Sequence, residues 1–429
     1  MPTKAKKSIR YTQVFVPGGF PTFTYNPRDE HKLEQKIRSA SDNLCKLMVV
    51  TGATKSGKTV LVDKIYQRSE NVWIDGGSVN NESTFWEQVI DQMGGYLEVE
   101  AGYQDGTQFK LAGTASASIG VLSGKFDGES AISEQTSTIL RRSTSNKSKA
   151  LQALMQNEVA LIVDDFHYID KQTQKSIVRA LKSPIMHGLP VIFIAIPNRK
   201  FDVVDVEREM TGRIETVEMP AWSSEELEEI ARTGFEVLNV STLDDEYVDA
   251  ISAFVGECQE SPFLMQEFCK ELCIASTIDS SKKDLQHVSR VNANAIFGHV
   301  AENSGRAMFK KLERGPRQRT DRKDRKMKNG VVTDIYGVVM AAFQMLRPNT
   351  ETITYDTLRA AIRQILVDDL PQHGEISRVL EKIAEISHTD SFSTPVIDWQ
   401  KDDDLITITD PFFAFFLRWN QDEVDKRCE

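Results

Sequence analysis

A short glycine-rich segment of the chain carries the residue types that bind phosphate groups. It reads Gly52-Ala53-Thr54-Lys55-Ser56-Gly57-Lys58-Thr59 and fits the pattern G-x-x-x-x-G-K-[ST], the Walker A loop. Backbone N–H groups of such a loop surround a β-phosphate, Lys58 reaches the β- and γ-phosphates, and the Thr59 hydroxyl is a ligand for Mg²⁺. We therefore predict that a nucleoside triphosphate binds here. The predicted nucleotide-binding residues are Gly52, Thr54, Lys55, Ser56, Gly57, Lys58, Thr59 and Val60.

An apolar run at residues 160–163 is followed directly by two adjacent carboxylates, Asp164 and Asp165. In a phosphate-loop fold the first carboxylate holds Mg²⁺ through its water shell, so Asp164 joins Thr59 as a predicted metal-binding residue. Asp165 is the predicted general base, because water is a poor nucleophile near neutral pH and needs a group that orients or deprotonates it. The alternative is that the two residues only begin a surface loop.

Two further polar positions flank apolar runs. Asn198 follows the run 191–196, and we predict that it contacts the γ-phosphate or the attacking water, with Arg199 as the second choice. Arg213 precedes the run 214–219 and is predicted to act as an arginine finger, in cis or on a neighbouring subunit. The alternatives are a helix cap or turn for Asn198 and a surface ion pair for Arg213.

The elements that must position these residues follow from periodicity. Apolar runs alternate with helical patterns, which predicts an α/β fold with a parallel sheet flanked by helices. The predicted strands are 46–51, 71–75, 160–164, 191–196 and 214–219. From Ser223 onward the pattern is helical, and the last hundred residues predict three helices and a two-stranded ribbon, the order of a winged helix.

Changes in composition divide the chain into five predicted segments. They are an N-terminal lead-in at 1–45, a P-loop ATPase core at 46–221, a helical lid at 222–312, a basic linker at 313–330 and a winged-helix-like domain at 331–429. A Gly/Ser/Thr-rich insertion interrupts the core at 96–149. Its period-2 pattern predicts a β-hairpin that contacts a subunit or partner, and a disordered insertion is the alternative.

The composition limits the class of protein. The 429 residues are 40% hydrophobic and 27% charged, which is ordinary for a globular protein. No run of 18 apolar residues predicts a membrane span, and the basic N-terminus lacks the apolar stretch of a secretory signal. Five cysteines without a CxxC pair fit a reducing compartment, so we expect a cytoplasmic protein.

Together these motifs resemble the AAA+ and STAND ATPases, closest to the archaeal-ATPase or origin-recognition-like branch. The ending Asp410-Pro411-Phe412-Phe413-Ala414-Phe415-Phe416-Leu417-Arg418-Trp419 is similar to the "DP…LRW" close of archaeal-ATPase winged helices. Glu260-Ser261-Pro262 resembles the STAND "GxP" lid motif without its glycine. The resemblance implies an ATPase switch, a nucleotide between core and lid, and a homo-oligomer. One departure is that residues 262–267 lack the arginine expected early in an AAA+ lid helix.

Charge separates two hypotheses about the role of such a switch. Residues 331–429 carry 18 acidic and nine basic side chains, so a winged helix there would repel DNA phosphates. The favoured hypothesis is a signalling or defence switch that controls an unknown protein partner. The alternative is a DNA-associated factor for replication initiation or transposition target selection, binding through the basic run 310–328 and the insertion. A weaker third possibility is a scaffold that does not hydrolyse ATP.

Overall fold

The computed structural model describes residues 8–42, 44–94, 145–196, 212–317, 322–348, 352–388, 396–401 and 403–420. Asn198 and Arg199 lie outside these residues, as do residues 96–144 of the predicted insertion. The predicted contact of Asn198 with the γ-phosphate and the predicted hairpin therefore stay predictions.

A five-stranded parallel sheet forms the first part of the fold, in the order β2-β3-β4-β1-β5. The strands are β1 (Leu47–Thr51), β2 (Val72–Asp75), β3 (Leu161–Asp164), β4 (Val191–Ala195) and β5 (Ile214–Glu218). The sequence prediction of a parallel sheet is confirmed, and every strand ends within a residue or two of its predicted bounds. Parallel strands covered on both faces need continuous apolar runs, and β1 and β4 are buried at every position.

Helices cover both faces of this sheet. They are α2 (Leu33–Arg38), α3 (Lys58–Ile65), α4 (Glu82–Gln92), α5 (Asn146–Asn157) and α6 (Lys171–Met186), after a short α1 (Tyr11–Val14). Alternate residues of β1 supply the two faces: Leu47 and Val49 pack toward α4–α6, whereas Met48 and Val50 pack toward α2 and α3. Residues 146–149, predicted as part of the insertion, instead open α5, because Ser145 caps its N-terminus.

A helical region follows the sheet. It comprises α7 (Ser224–Val237), α8 (Asp245–Glu257), α9 (Pro262–Ala275), α10 (Ala293–Ser304) and α11 (Arg306–Arg314). Ser223 begins it with a capping box, in which its hydroxyl accepts from the Glu226 N–H and the Glu226 carboxylate accepts from the Ser223 N–H.

The last part of the chain combines four helices with a small antiparallel sheet of order β8-β10-β9. The helices are α12 (Ile335–Leu346), α13 (Tyr355–Ile365), α14 (His373–His388) and α15 (Pro411–Trp419), and the strands are β8 (Thr352–Thr354), β9 (Ile397–Gln400) and β10 (Leu405–Ile408). The order of elements is consistent with the predicted winged helix. The third strand, β8, was not predicted, because three residues with polar ends give no strand pattern.

The predicted basic linker is partly folded into this region. Helix α11 extends to Arg314, and a two-stranded ribbon pairs β6 (Arg325–Lys326) with β7 (Val332–Thr333). Two arginines of the run are held by carboxylates, Arg322 by Asp334 and the buried Arg325 by Glu375. These ion pairs neutralise part of the positive charge of the run 310–328, through which the sequence predicted possible DNA binding.

One hydrophobic core joins the lead-in, the helical region and the last part of the chain. The rings of Phe268, Phe297 and Phe415, from α9, α10 and α15, contact one another within it. Val14 and Phe15 of the lead-in also belong to this core, whereas α2 packs on the sheet. The described chain thus forms two bodies. The sheet body contains β1–β5 with α2–α6. The helical body contains α1, α7–α15 and β6–β10.

Among the described residues, no helix is long and apolar enough to cross a membrane.

The packing of α15 on the helical body can be tested with a matched pair of glycines. A Cβ at Gly305 would lie 2.3 Å from the Cβ of Phe416, so we expect Gly305→Ala to lower the free energy of unfolding by about 1 to 3 kcal/mol. At Gly298, in α10, no atom lies within 4 Å of an added Cβ. Gly298→Ala should therefore raise stability by about 0.5 to 1 kcal/mol, since alanine favours a helix. Urea unfolding of both variants is the measurement, and equal effects at the two sites would contradict this packing.

Candidate functional site

The phosphate loop lies at the carboxyl end of β1, the strand between β4 and β5. Its turn requires left-handed backbone at two positions, Lys55 with φ 60° and Gly57 with φ 94°. Apart from its chain neighbours, no atom of the described part of the chain lies within 4 Å of the place where a Cβ on Gly57 would be, so the loop faces open space at that point. Helix α3 begins directly afterwards, at Lys58, which places its N-terminal N–H groups at the same opening.

Lys58 is buried, and its ammonium donates hydrogen bonds to two carbonyls of the loop itself. The bonds are 2.9 Å to the Gly52 oxygen and 2.7 Å to the Ala53 oxygen. Burial lowers the pKa of Lys58 to about 8, although the nearby charges of Asp165 and Asp164 act to raise it. A desolvated cation whose partners are neutral carbonyls gains from an exchange for anionic phosphate oxygens.

Asp164, the last residue of β3, lies beside Thr59 as the sequence predicts for a metal-binding pair. Its Oδ1 accepts from the Thr59 hydroxyl at 3.3 Å, and Arg68 lies 3.8 Å from Oδ2. Burial raises the pKa of Asp164, opposed by the hydrogen bond from Thr59 and the charge of Arg68. The sequence analysis did not identify Arg68, because it follows α3 in a polar stretch without any motif.

The residues of the loop fit a phosphate group and Mg²⁺. The hydroxyl oxygens of Thr54 and Ser56 are buried and have no hydrogen-bond partner among the described residues, which leaves acceptor and donor capacity inside the loop. The described residues contain no group of three His, Cys, Asp or Glu side chains that could hold a metal alone. Thr59 and Asp164 would therefore share Mg²⁺ with phosphate oxygens and water, as this ion prefers.

Asp165 takes a left-handed backbone conformation, with φ 50°, which turns the chain sharply at the end of β3. The turn packs closely against Gly76, the residue that follows β2. A Cβ at this position would lie 2.3 Å from the Asp165 carbonyl oxygen, so the position requires glycine. Burial, together with the charge of Asp164, raises the pKa of Asp165 to about 7, although the charge of Lys58 acts to lower it. Asp165 is thus a carboxyl group poised near neutral pH.

A cavity of about 570 Å³ opens in front of the loop and is walled by both bodies. The loop and α3 residues that line it are Thr54, Lys55, Gly57, Lys58, Thr59, Val60 and Leu61, and Asp165 lines it as well. Gly52 and Ser56, also predicted to bind nucleotide, are not among its lining residues. Its volume lies in the range of small-molecule binding sites.

The junction between β5 and α7 is fixed by Arg28 from the lead-in, a residue the sequence analysis missed. Its buried guanidinium donates to the carbonyl oxygens of Pro220 and Ala221 at 3.0 and 2.7 Å, and to the Glu226 carboxylate at 2.7 Å. It also lies 4.5 Å from the ring centroid of Trp222. These contacts connect the lead-in to the residues where the chain passes from one body to the other.

Trp222 couples this junction to the phosphate loop, because its indole N–H donates to the Ser56 carbonyl at 2.9 Å. Trp222 is buried and lines the cavity. Its position directly before the Ser223 cap was visible in the sequence, but no pattern there indicated its partner.

Arg213 does not lie near the phosphate loop of its own chain. Its carbonyl accepts from the N–H of Leu47, the first residue of β1, whereas the loop follows the last residue of that strand. The two ends of β1 are about 13 Å apart at 3.3 Å per residue. The Arg213 side chain instead contacts the Met186 sulfur at 2.8 Å. The cis alternative does not fit this placement, and a role on a neighbouring subunit stays a prediction.

No protein-family model and no curated protein matches the sequence. Solved structures with a similar fold include Cdc6p from Pyrobaculum aerophilum, which is 11% identical with a TM-score of 0.44, over 97% of this chain and 100% of that one. The ORC2 protein of Aeropyrum pernix in its ADP form is 12% identical with a TM-score of 0.46, over 97% and 98%. A STAND protein with a tetratricopeptide repeat sensor from Pyrococcus horikoshii is 12% identical with a TM-score of 0.32, over 92% and 43%.

The raised pKa of Asp165 makes a prediction about stability. Its protonated form is favoured in the folded protein, so the folded state loses stability as the pH rises from the usual carboxyl pKa toward about 7. Asp165→Asn removes this penalty, and asparagine also tolerates the left-handed backbone. We expect the variant to exceed the wild type by about 1 to 3 kcal/mol at pH 8, with a smaller gain at pH 5.

Urea unfolding at the two pH values measures this difference. Asp170 provides the control, because its carboxylate caps α6 and hydrogen bonds from Thr173 hold its pKa below the usual range. Asp170→Asn should therefore lower stability at pH 8. A gain for Asp165→Asn that is equal at both pH values would contradict the assigned pKa.

Proposed function

We propose that the chain binds ATP with Mg²⁺ in this cavity, hydrolyses it, and uses the nucleotide state to change how the sheet body and the helical body meet. The observation that carries the proposal is the cluster of Lys58, Asp164 and Asp165 around an open phosphate loop, in a cavity walled by both bodies. A ligand that contacts both bodies changes their relative position to the extent that it binds one arrangement better than another.

The roles of the chain's own residues follow from their surroundings. Lys58 would exchange its two carbonyl partners for phosphate oxygens, and Thr59 and Asp164 would hold a metal ion, which would neutralise phosphate charge. Asp165 orients the attacking water and accepts its proton, since a carboxylate with a pKa near 7 is a stronger base than an ordinary one. Asn198 is proposed to contact the γ-phosphate, and Arg213 to serve a neighbouring subunit in a homo-oligomer.

The charges of the last part of the chain support a protein partner over DNA. Arg322 and Arg325 are paired with carboxylates, and residues 331–429 carry 18 acidic but only nine basic side chains. Phosphate contacts dominate affinity for DNA, so this surface would repel it. We therefore favour a switch that controls a protein, of the signalling or defence type, over a factor for replication initiation or transposition target selection.

Two variants separate binding from hydrolysis. Lys58→Met should abolish nucleotide binding, because it leaves the phosphates without their buried cation. Asp165→Asn should bind ATP and release phosphate at a rate lower by about 10² to 10⁴, the usual contribution of a general base. Calorimetric titration with ATP and a phosphate-release assay are the measurements, with Asp170→Asn as the control that keeps both. Unchanged turnover in Asp165→Asn would refute its assignment as the base, and binding without turnover in the wild type would favour a scaffold.

The role of the switch can be tested by particle size in solution. We expect scattering to report different sizes or shapes with ATP and with ADP, with no dependence on nucleotide in Lys58→Met, because that variant cannot bind it. The same measurements with duplex DNA address the alternative. Duplex binding that requires ATP, weakens steeply with salt, and is lost when the exposed Lys323 and Lys328 are replaced by serine would establish a DNA-associated factor instead.

A further inference from the structure

An ion pair joins the phosphate loop to the C-terminal helix. The Lys55 ammonium lies 2.6 Å from Oδ2 of Asp410, the residue that caps the N-terminus of α15. Oδ1 of the same carboxylate accepts from the N–H groups of Phe412 and Phe413 at 2.8 and 3.0 Å. Both oxygens are thus engaged, and the direction in which Asp410 presents its charge is fixed by the helix.

Two aromatic rings flank this cation, whose side chain is 31% exposed. The Lys55 ammonium lies 4.3 Å from the ring centroid of Phe412 and 5.8 Å from that of Phe263, and the two rings meet edge to face at 4.6 Å. Phe263, near the start of α9, also packs against the lead-in, where a Cβ on Gly18 would lie 2.7 Å from its ring. Rings exclude water, so the charges around Lys55 interact more strongly than at an open surface.

The pair connects the two bodies rather than two loose segments. Lys55 belongs to the sheet body, whereas α15 is anchored in the helical body by its buried phenylalanines. Its far end is held too, because Arg418 and Trp419 bond to the two carboxylate oxygens of Glu257 at 3.0 and 2.8 Å. Asp410 therefore cannot move away from the loop unless the whole helical body moves.

Lys55 and Asp410 both line the cavity in which we place the nucleotide. A γ-phosphate would add negative charge beside the loop. The Asp410 carboxylate already lies there and forms an ion pair with the Lys55 ammonium. The terminal phosphate and Asp410 repel each other and compete for the same cation. A diphosphate, which ends one group earlier, meets less of this repulsion.

We infer that Asp410 sets a preference for a nucleoside diphosphate over a triphosphate when the two bodies are closed, so that a bound γ-phosphate separates Lys55 from Asp410 and drives the bodies apart. This inference rests on the proposed function, because it requires that the cavity bind nucleotide. It assigns to the last helix a role in discriminating the two nucleotides, through a residue 355 positions away from its partner in the sequence.

Asp410→Asn tests the inference in the full chain, since asparagine caps a helix as well as aspartate does but carries no charge. The dissociation constants of ADP and of the non-hydrolysable imido analogue of ATP, both with Mg²⁺, are measured by calorimetry. We expect the ratio of the triphosphate constant to the diphosphate constant to fall on the order of tenfold. Asp410→Ser, which also caps, should give the same fall, because the effect depends on the lost charge.

The matched control is Asp334→Asn. Asp334 caps α12 through the N–H groups of Tyr336 and Gly337 and pairs with Arg322, but it does not line the cavity. The ratio should stay at the wild-type value in this variant. A shift there as well, or an unchanged ratio in Asp410→Asn, would overturn the inference while leaving nucleotide binding intact. If the wild type bound neither nucleotide, the proposed function would fail first, and the inference with it.

Discussion

The site depends on a single constraint, the burial of β1 as an interior strand of a parallel sheet. Because β4 and β5 pair with it and helices cover both faces, the strand cannot shift without breaking two ladders and two sets of apolar contacts. The phosphate loop begins directly after Thr51, the last residue of β1, so the strand fixes the position at which the loop starts. Asp164 and Asp165 reach the loop because parallel strands present their carboxyl ends at one edge of the sheet.

The same rigidity keeps charges close together that would separate in water. A desolvated lysine and two half-buried carboxylates meet there. Burial lowers the pKa of the lysine and raises the pKa of each carboxyl group, so that the neutral form of each is favoured. This arrangement has an electrostatic cost that a bound anion and cation would relieve. Sites that hold such groups for chemistry commonly sacrifice stability for function.

The sequence predicted the sheet well because its strands are continuous apolar runs bounded by polar residues, and because loop, strand and helix follow one another in a fixed order. Arg213 shows a limit of that reasoning. A residue that precedes a parallel strand lies at the amino edge, opposite to the loop, so topology argues against a cis role once the strand order is known. The ion pairs within the predicted linker show another limit, since Arg322 and Arg325 find carboxylates that no local pattern couples to them.

The contacts that lie farthest apart in sequence were the hardest to predict. Lys55 and Asp410 each stand in a recognisable motif, but nothing within either motif indicates the other. Arg28 likewise donates hydrogen bonds to carbonyl oxygens almost two hundred residues away. Because every residue has a backbone carbonyl, the sequence does not indicate which ones Arg28 contacts. Tertiary packing alone decides such partners.

The division of the lead-in between the two bodies has a consequence for how the chain folds. The N–H of Tyr11 donates to the Asp279 carbonyl and that of Ile9 to the Ser281 hydroxyl, across sequence separations of about 270 residues. Closing so long a loop costs conformational entropy before any contact repays it. The helical body is therefore complete only when a segment synthesised before the sheet packs onto helices that are synthesised after it.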